Sequence, residues 1–149
     1  MKVALTLALT LIPTFGMAHD YKIGDLVIAH PFARVTAATA MTGAGYMTVT
    51  NTGETDDVLL EVRADFPRVM MHDTETVDDI ARMIHLEILA IPAGETVTFA
   101  PGGKHVMFMG LQGDPFEEGE TVLAMLVFEN AGEIEIEFSV EKMTEVHGH

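Results

Sequence analysis

Four potential metal ligands stand near the middle of the chain: His72, Met83, His105 and Met107. Imidazole nitrogen binds several transition metals, whereas thioether sulfur is a soft donor that selects Cu(I). The sequence contains no cysteine, which excludes a blue-copper centre because that centre needs a thiolate ligand. Two imidazoles and two thioethers would therefore suit one Cu(I) ion if the fold brings them together.

His105 and Met107 are separated by a single residue, and they follow the turn sequence Pro101-Gly102-Gly103. In a β-strand, side chains two positions apart point to the same face. We therefore expect a nitrogen and a sulfur side by side, with Met109 on the same face as a nearby or alternative sulfur. The turn predicts that they lie near an end of the sheet, where binding residues concentrate.

His72 and Met83 stand on either side of an acidic segment, residues 73–79, which we expect to be a solvated connection. If residues 69–73 and 80–89 pair as neighbouring strands, His72 and Met83 come close to each other at the edge of that connection. A site made from two pairs of ligands would then be geometrically reasonable.

The elements that must position these residues are short apolar stretches separated by turn residues, a pattern that predicts an all-β sandwich or barrel. The last stretch has the clearest alternation, with apolar residues on one face and glutamates on the other. The predicted strands cover residues 25–30, 44–50, 57–66, 69–73, 80–89, 96–100, 105–109, 121–129 and 133–141.

The first 18 residues have the features of a secretory signal peptide: a positive start, an apolar stretch and the small-residue cleavage site Gly16-Met17-Ala18. We predict export, a single domain over residues 19–142, and a flexible tail over residues 143–149. No other stretch is apolar for long enough to predict a membrane-spanning helix.

The net charge of −15 argues against a nucleic-acid binder, because such proteins carry a basic patch. We interpret the acidity as a source of solubility, with attraction to cations or to a basic partner as the alternative. No Ser-His-Asp arrangement, phosphate-binding loop or paired acid–base motif stands out. The sequence therefore predicts a protein that is not an enzyme.

The spacing of the four ligands resembles the signature of the periplasmic Cu(A) copper chaperones, the PCu(A)C family. That signature is a His, ten residues, a Met, twenty-one residues and then His-x-Met, and the same spacing separates His72, Met83, His105 and Met107. The sequence departs from the family at Ile84-His85, where many members carry a basic residue. Further similarity lies in residues 28–34, 44–47, 91–94 and 101–107.

The resemblance implies a cupredoxin-like Greek-key β-sandwich that binds one Cu(I) through His72, Met83, His105 and Met107. It also implies that periplasmic copper passes to the Cu(A) subunit of cytochrome c oxidase, directly or through a thiol-containing copper assembly protein. Thiolates are softer donors than thioethers or imidazoles, so transfer to cysteine would be favourable.

Two other functions remain open from the sequence. One is a periplasmic copper sequestration or tolerance protein that keeps its metal. The other is a β-sandwich interaction module that binds no metal and uses these residues in its core.

The remaining methionines and histidines have more ordinary interpretations. Methionine fills irregular gaps in cores, and His30 and His85 are predicted to be structural. His19, which cleavage would leave at the N-terminus, could form a second site for Cu(II) with the two tail histidines, or the ends hold no site. The predicted core methionines are Met41, Met47, Met70 and Met125, and the tail histidines are His147 and His149.

Overall fold

The computed structural model describes residues 20–142. All of the regular secondary structure in that range is β-strand, which confirms the all-β prediction. The predicted signal peptide (residues 1–18) and the predicted flexible tail (residues 143–149) lie outside this range. Within it, no helix is long and apolar enough to cross a membrane. The strands are β1 (Tyr21–Ile23), β2 (Leu26–Arg34), β3 (Thr42–Asn51), β4 (Asp57–Arg63), β5 (Arg68–Val77), β6 (Ile80–Leu86), β7 (Leu89–Ile91), β8 (Thr96–Phe99), β9 (His105–Met109), β10 (Thr121–Phe128) and β11 (Gly132–Glu141).

The strands are hydrogen-bonded in the order β6-β5-β9-β3-β2-β11-β10-β4-β7, with β1 on β2 and β8 on β3. This sheet curls so that strands distant in that order face one another across the core. The rings of Phe108 on β9 and Phe138 on β11, for example, lie 5.7 Å apart although their strands are not neighbours. The result is two packed layers around one apolar core.

The first predicted strand was expected to stop at Pro31, but β2 continues through it to Arg34. The pairing of β2 with β3 shifts register between Ala29 and Phe32, and His30 adopts a positive φ of 46°. A β-bulge leaves its extra residues out of the ladder, so the missing N–H of proline costs no sheet hydrogen bond there.

The acidic segment 73–79 was expected to be a solvated connection, but most of it belongs to a β-hairpin. β5 and β6 pair without interruption down to Val77 and Ile80. Asp78 and Asp79 form the two-residue turn with φ values of 51° and 61°, the conformation that tight hairpin turns require and that aspartate tolerates. The hairpin holds β6 firmly against the strand that carries His72.

Gly43 on β3 allows the ring of Phe116 to lie directly on the sheet, since a Cβ there would be 2.3 Å from a ring carbon. We expect Gly43→Ala to lower the free energy of unfolding by about 1–3 kcal/mol, because the ring must move out of the core. Chemical denaturation measures this. Gly103→Ala is the control, since its Cβ would meet only the Ala100 carbonyl at 3.6 Å; equal losses in the two variants would contradict the prediction.

Candidate metal centre

A row of three imidazoles crosses strands β6, β5 and β9. His72 on β5 lies directly opposite His105 on β9 and directly opposite His85 on β6. Directly opposed residues of antiparallel strands carry their side chains on the same face. Met83 lies two residues from His85 along β6, opposite Thr74, and is therefore on this face as well.

Met107 completes the set on the other side of the row, two residues along β9 from His105 and opposite Met70 on β5. Met107 and Met70 are half-buried. Met83, on the edge strand β6, is 62% exposed. The structure therefore brings the four predicted ligands onto one face, and it leaves one thioether open to solvent.

The two candidate imidazole ligands are buried and adjacent. His72 is 9% exposed and His105 is 6% exposed, and their ring centroids are 5.6 Å apart. A buried imidazole usually finds hydrogen-bond partners for its nitrogens. His72 Nδ1 and His105 Nε2 have none, so each has a lone pair or a proton with no partner in the protein.

The backbone at Gly103 determines which nitrogen of His105 is free. His105 Nδ1 lies 3.2 Å from the Gly103 carbonyl oxygen, and because a carbonyl can only accept, Nδ1 carries the proton and donates. Nε2 of the neutral ring then has its lone pair available. Metal-binding histidines typically have this arrangement, in which the second nitrogen is oriented by a carbonyl.

The site opens into a cleft of the sheet face. Its lining includes Met83, His105 and Met107 together with Thr74, and, on the β2–β3 side, Arg34, Thr36, Thr42, Gly43, Ala44 and Tyr46. His105 lines this cleft, and the ring of His72 lies beside that of His105. Gly102 also lines the cleft, so the Pro101-Gly102-Gly103 turn lies beside it.

An ion pair fixes that turn to β5. Lys104 Nζ lies 3.3 Å from Asp73 Oδ2. Lys104 immediately precedes His105, and Asp73 immediately follows His72. The pair is partly exposed, so its own contribution to stability is small. Its position nevertheless links the backbone segments that carry the two buried imidazoles.

Nitrogen and oxygen donors alone do not form a metal cluster in this face. Among residues 20–142, no group of three or more His, Asp or Glu side chains is assembled to hold a metal ion. A metal at His72 and His105 would need other donors, and the nearby thioethers of Met83 and Met107 are of the soft class that suits Cu(I). The orphaned imidazole nitrogens and this donor chemistry therefore fit a soft monovalent ion.

The surroundings of His72 lower the pKa of its imidazole below the ordinary value. Burial is the main cause, followed by the positive charges that His105, His85 and Arg68 would place nearby. At neutral pH His72 is therefore neutral, which is the form that binds a metal.

This pKa shift predicts a pH-dependent stability in the metal-free protein. Between the lowered folded pKa of His72 and the unfolded value of about 6.5 the unfolded chain binds more protons, so the free energy of unfolding falls as the pH falls through that window. We expect the decrease between pH 7.5 and pH 5.5 to be smaller in His72→Asn than in the unmodified chain. Thermal unfolding at both pH values measures it, and identical decreases would contradict the prediction.

Several residues that were predicted to be core or structural have other positions. Met47 is buried as predicted, but Met41 is 62% exposed. Met70 lies on the same face as the candidate ligands, and His85 is exposed beside His72. Alternation along a strand could have identified both, since Met70 precedes His72 by two residues and His85 follows Met83 by two. His19, His147 and His149 fall outside residues 20–142.

The described part of the chain matches known proteins over nearly its whole length. A family model with the description "Putative lipoprotein LpqE-like" matches residues 26–140. The "Putative lipoprotein Lxx21020" of Leifsonia xyli subsp. xyli is 33% identical over 98 residues, which is 64% of this chain and 58% of that protein. The chain thus spans less than two thirds of the length of this relative.

Solved structures are also similar, among them two that contain copper. The copper-bound PCuAC domain from PmoF2 is 31% identical, with a TM-score of 0.66 over 83% of this chain and 98% of that one. Cu(I)-DR1885 from Deinococcus radiodurans is 26% identical, with a TM-score of 0.62 over 86% of this chain and 84% of that one. The predicted cupredoxin-like Greek-key β-sandwich is confirmed. The protein therefore has the PCuAC-type fold and belongs to the LpqE-like family.

Proposed function

We propose that this protein is an exported copper-binding metallochaperone, without enzymatic activity, that holds one Cu(I) through His72, Met83, His105 and Met107. The observation that carries the proposal is the pair of buried imidazole nitrogens, one on His72 and one on His105, that have no hydrogen-bond partner. They lie on the sheet face that also carries the thioethers.

The ligand chemistry supports this choice of ion. A thioether has no proton to lose, so its binding does not compete with protons, and the lowered pKa of His72 keeps that ring neutral. Four neutral ligands add no charge to a monovalent ion. The soft thioether sulfurs of Met83 and Met107 favour Cu(I) over divalent ions that prefer oxygen ligands.

The relatives support copper binding and export. One similar domain, that of PmoF2, has been solved with copper and another protein, DR1885, with Cu(I). The family and the Leifsonia relative are both described by name as lipoproteins, which supports a location in the cell envelope. We place this protein in the periplasm, with residues 1–18 as its signal peptide.

We propose that the copper is delivered for assembly of the Cu(A) centre of cytochrome c oxidase, directly or through a thiol-containing assembly protein. Exposure of Met83 on an edge strand supports delivery over sequestration, because an incoming thiolate can approach the ion from that side. A storage protein would gain from enclosing all of its ligands.

A transfer assay tests delivery. The Cu(I)-loaded protein is mixed with a reduced Cys-containing Cu(A) domain, the two are separated, and the copper in each is measured. We expect most of the copper to move to the Cu(A) domain, because thiolates bind Cu(I) more strongly than thioethers. The control is a Cu(A) domain with its cysteines replaced by serine, which should take up none. Copper that stays on the chaperone in both mixtures would indicate sequestration.

A further inference from the structure

His85 lies outside the ligand set proposed above, yet it extends that set along the sheet. Its ring centroid is 5.7 Å from that of His72, nearly the same separation as that between His72 and His105. The three imidazoles occupy directly opposed positions on three adjacent strands. His85 is also exposed, so packing does not restrict its ring to one rotamer.

His85 and Met83 both lie on β6 beside the buried imidazoles, His85 directly opposite His72 and Met83 diagonal to it, opposite Thr74. Both side chains leave the edge strand β6 on the same face, two residues apart. Both are exposed, whereas His72 and His105 are buried. The site therefore has a fixed half of two imidazoles on β5 and β9, and an open half where either a sulfur or a nitrogen on β6 can approach.

We propose that His85 is a copper ligand for Cu(II), which it binds together with His72 and His105, and that it replaces Met83 when the ion is divalent. This inference rests on the proposed function, since it uses the same two buried imidazoles. Imidazole suits Cu(II), while thioether selects Cu(I). The buried pair His72 and His105 thus binds copper in both oxidation states, and the edge strand β6 adds Met83 for Cu(I) or His85 for Cu(II).

The His85 ring must turn for this purpose. In the structure the three rings do not form an assembled metal cluster within residues 20–142. An exposed side chain changes rotamer on the picosecond to nanosecond timescale, so exposure leaves the His85 ring free to turn towards His72.

The test measures Cu(II) and Cu(I) binding separately in full-length chains. All variants carry His147→Ala and His149→Ala, so that the tail imidazoles do not contribute, and His19 is present in all of them. We expect His85→Asn to weaken Cu(II) binding by about ten-fold or more while leaving Cu(I) binding unchanged. Met83→Ala should weaken Cu(I) binding and leave Cu(II) binding unchanged. His30→Asn, which removes another exposed imidazole on β2, is the matched control and should change neither.

Electron paramagnetic resonance supplies a second readout, since it counts the nitrogens bound to Cu(II). The parent should show three imidazole nitrogens and His85→Asn two. An unchanged spectrum and affinity in His85→Asn would overturn the inference, as would equal weakening of Cu(I) and Cu(II). Either result leaves the proposed function intact, whereas a parent chain that binds no Cu(I) would overturn the proposed function itself.

Discussion

Replacing Met83 and Met107 together by alanine should lower the Cu(I) affinity by about 10³-fold or more, because even the groups that only orient metal ligands contribute 10–100-fold. The two buried imidazoles would remain, but two nitrogens alone make a poor site for this soft ion. Competition with a Cu(I)-specific chelator measures the affinity. The change should leave the fold intact, since Met83 is exposed and Met107 is half-buried.

The matched control is the double variant Met41→Ala plus Met125→Ala. Met41 is as exposed as Met83, and Met125 lies on β10 opposite Arg63 of β4, so the same number of thioethers is lost from positions outside the proposed ligand set. This variant should bind Cu(I) as tightly as the unmodified chain. Unchanged affinity in the Met83 and Met107 variant would instead favour an interaction module without metal, and it would overturn the proposed copper carrier.

Replacing Asp57 by alanine should lower the free energy of unfolding by about 3 kcal/mol or more, because hydrogen bonds to a charged group contribute about 1.5–3 kcal/mol each. The side chain is nearly enclosed, at 5% exposure of the residue. Its Oδ1 accepts from the backbone N–H groups of Val58 and Asn130 at 2.8 and 2.9 Å. Its Oδ2 accepts from the N–H of Ala131 at 3.0 Å. One carboxylate therefore joins the start of β4 to the turn between β10 and β11.

Asp56→Ala is the control for that measurement. Asp56 is the preceding residue, is exposed, and its Oδ1 accepts from a single N–H, that of Ala93, at 2.9 Å. We expect Asp56→Ala to lower the free energy of unfolding, measured by urea denaturation, by only about 1 kcal/mol. If the two variants lose the same free energy of unfolding, burial and the number of hydrogen bonds at Asp57 are not what stabilises this corner of the sandwich.

Strand type and side-chain face were predictable here because they depend on neighbouring residues. The alternation of Ile134, Ile136 and Phe138 with glutamates predicted β11, whose apolar residues pack into the core. The same period of two put His105 and Met107 on one face. Boundaries were less predictable where long-range pairing compensates for a local signal, as at the bulge around Pro31 and in the acidic hairpin at Asp78-Asp79.

The sequence by itself determined the donor types, their spacing and their distribution over two strand pairs. Tertiary structure alone decided that β5 and β9 are neighbours, since no local property of residues 68–77 specifies a partner some thirty residues further along the chain. That pairing sets His72 opposite His105, buries both rings and leaves a nitrogen of each without a partner. Burial and register are collective properties of the packed sheet, so the two imidazoles became a candidate metal site only when the strands assembled.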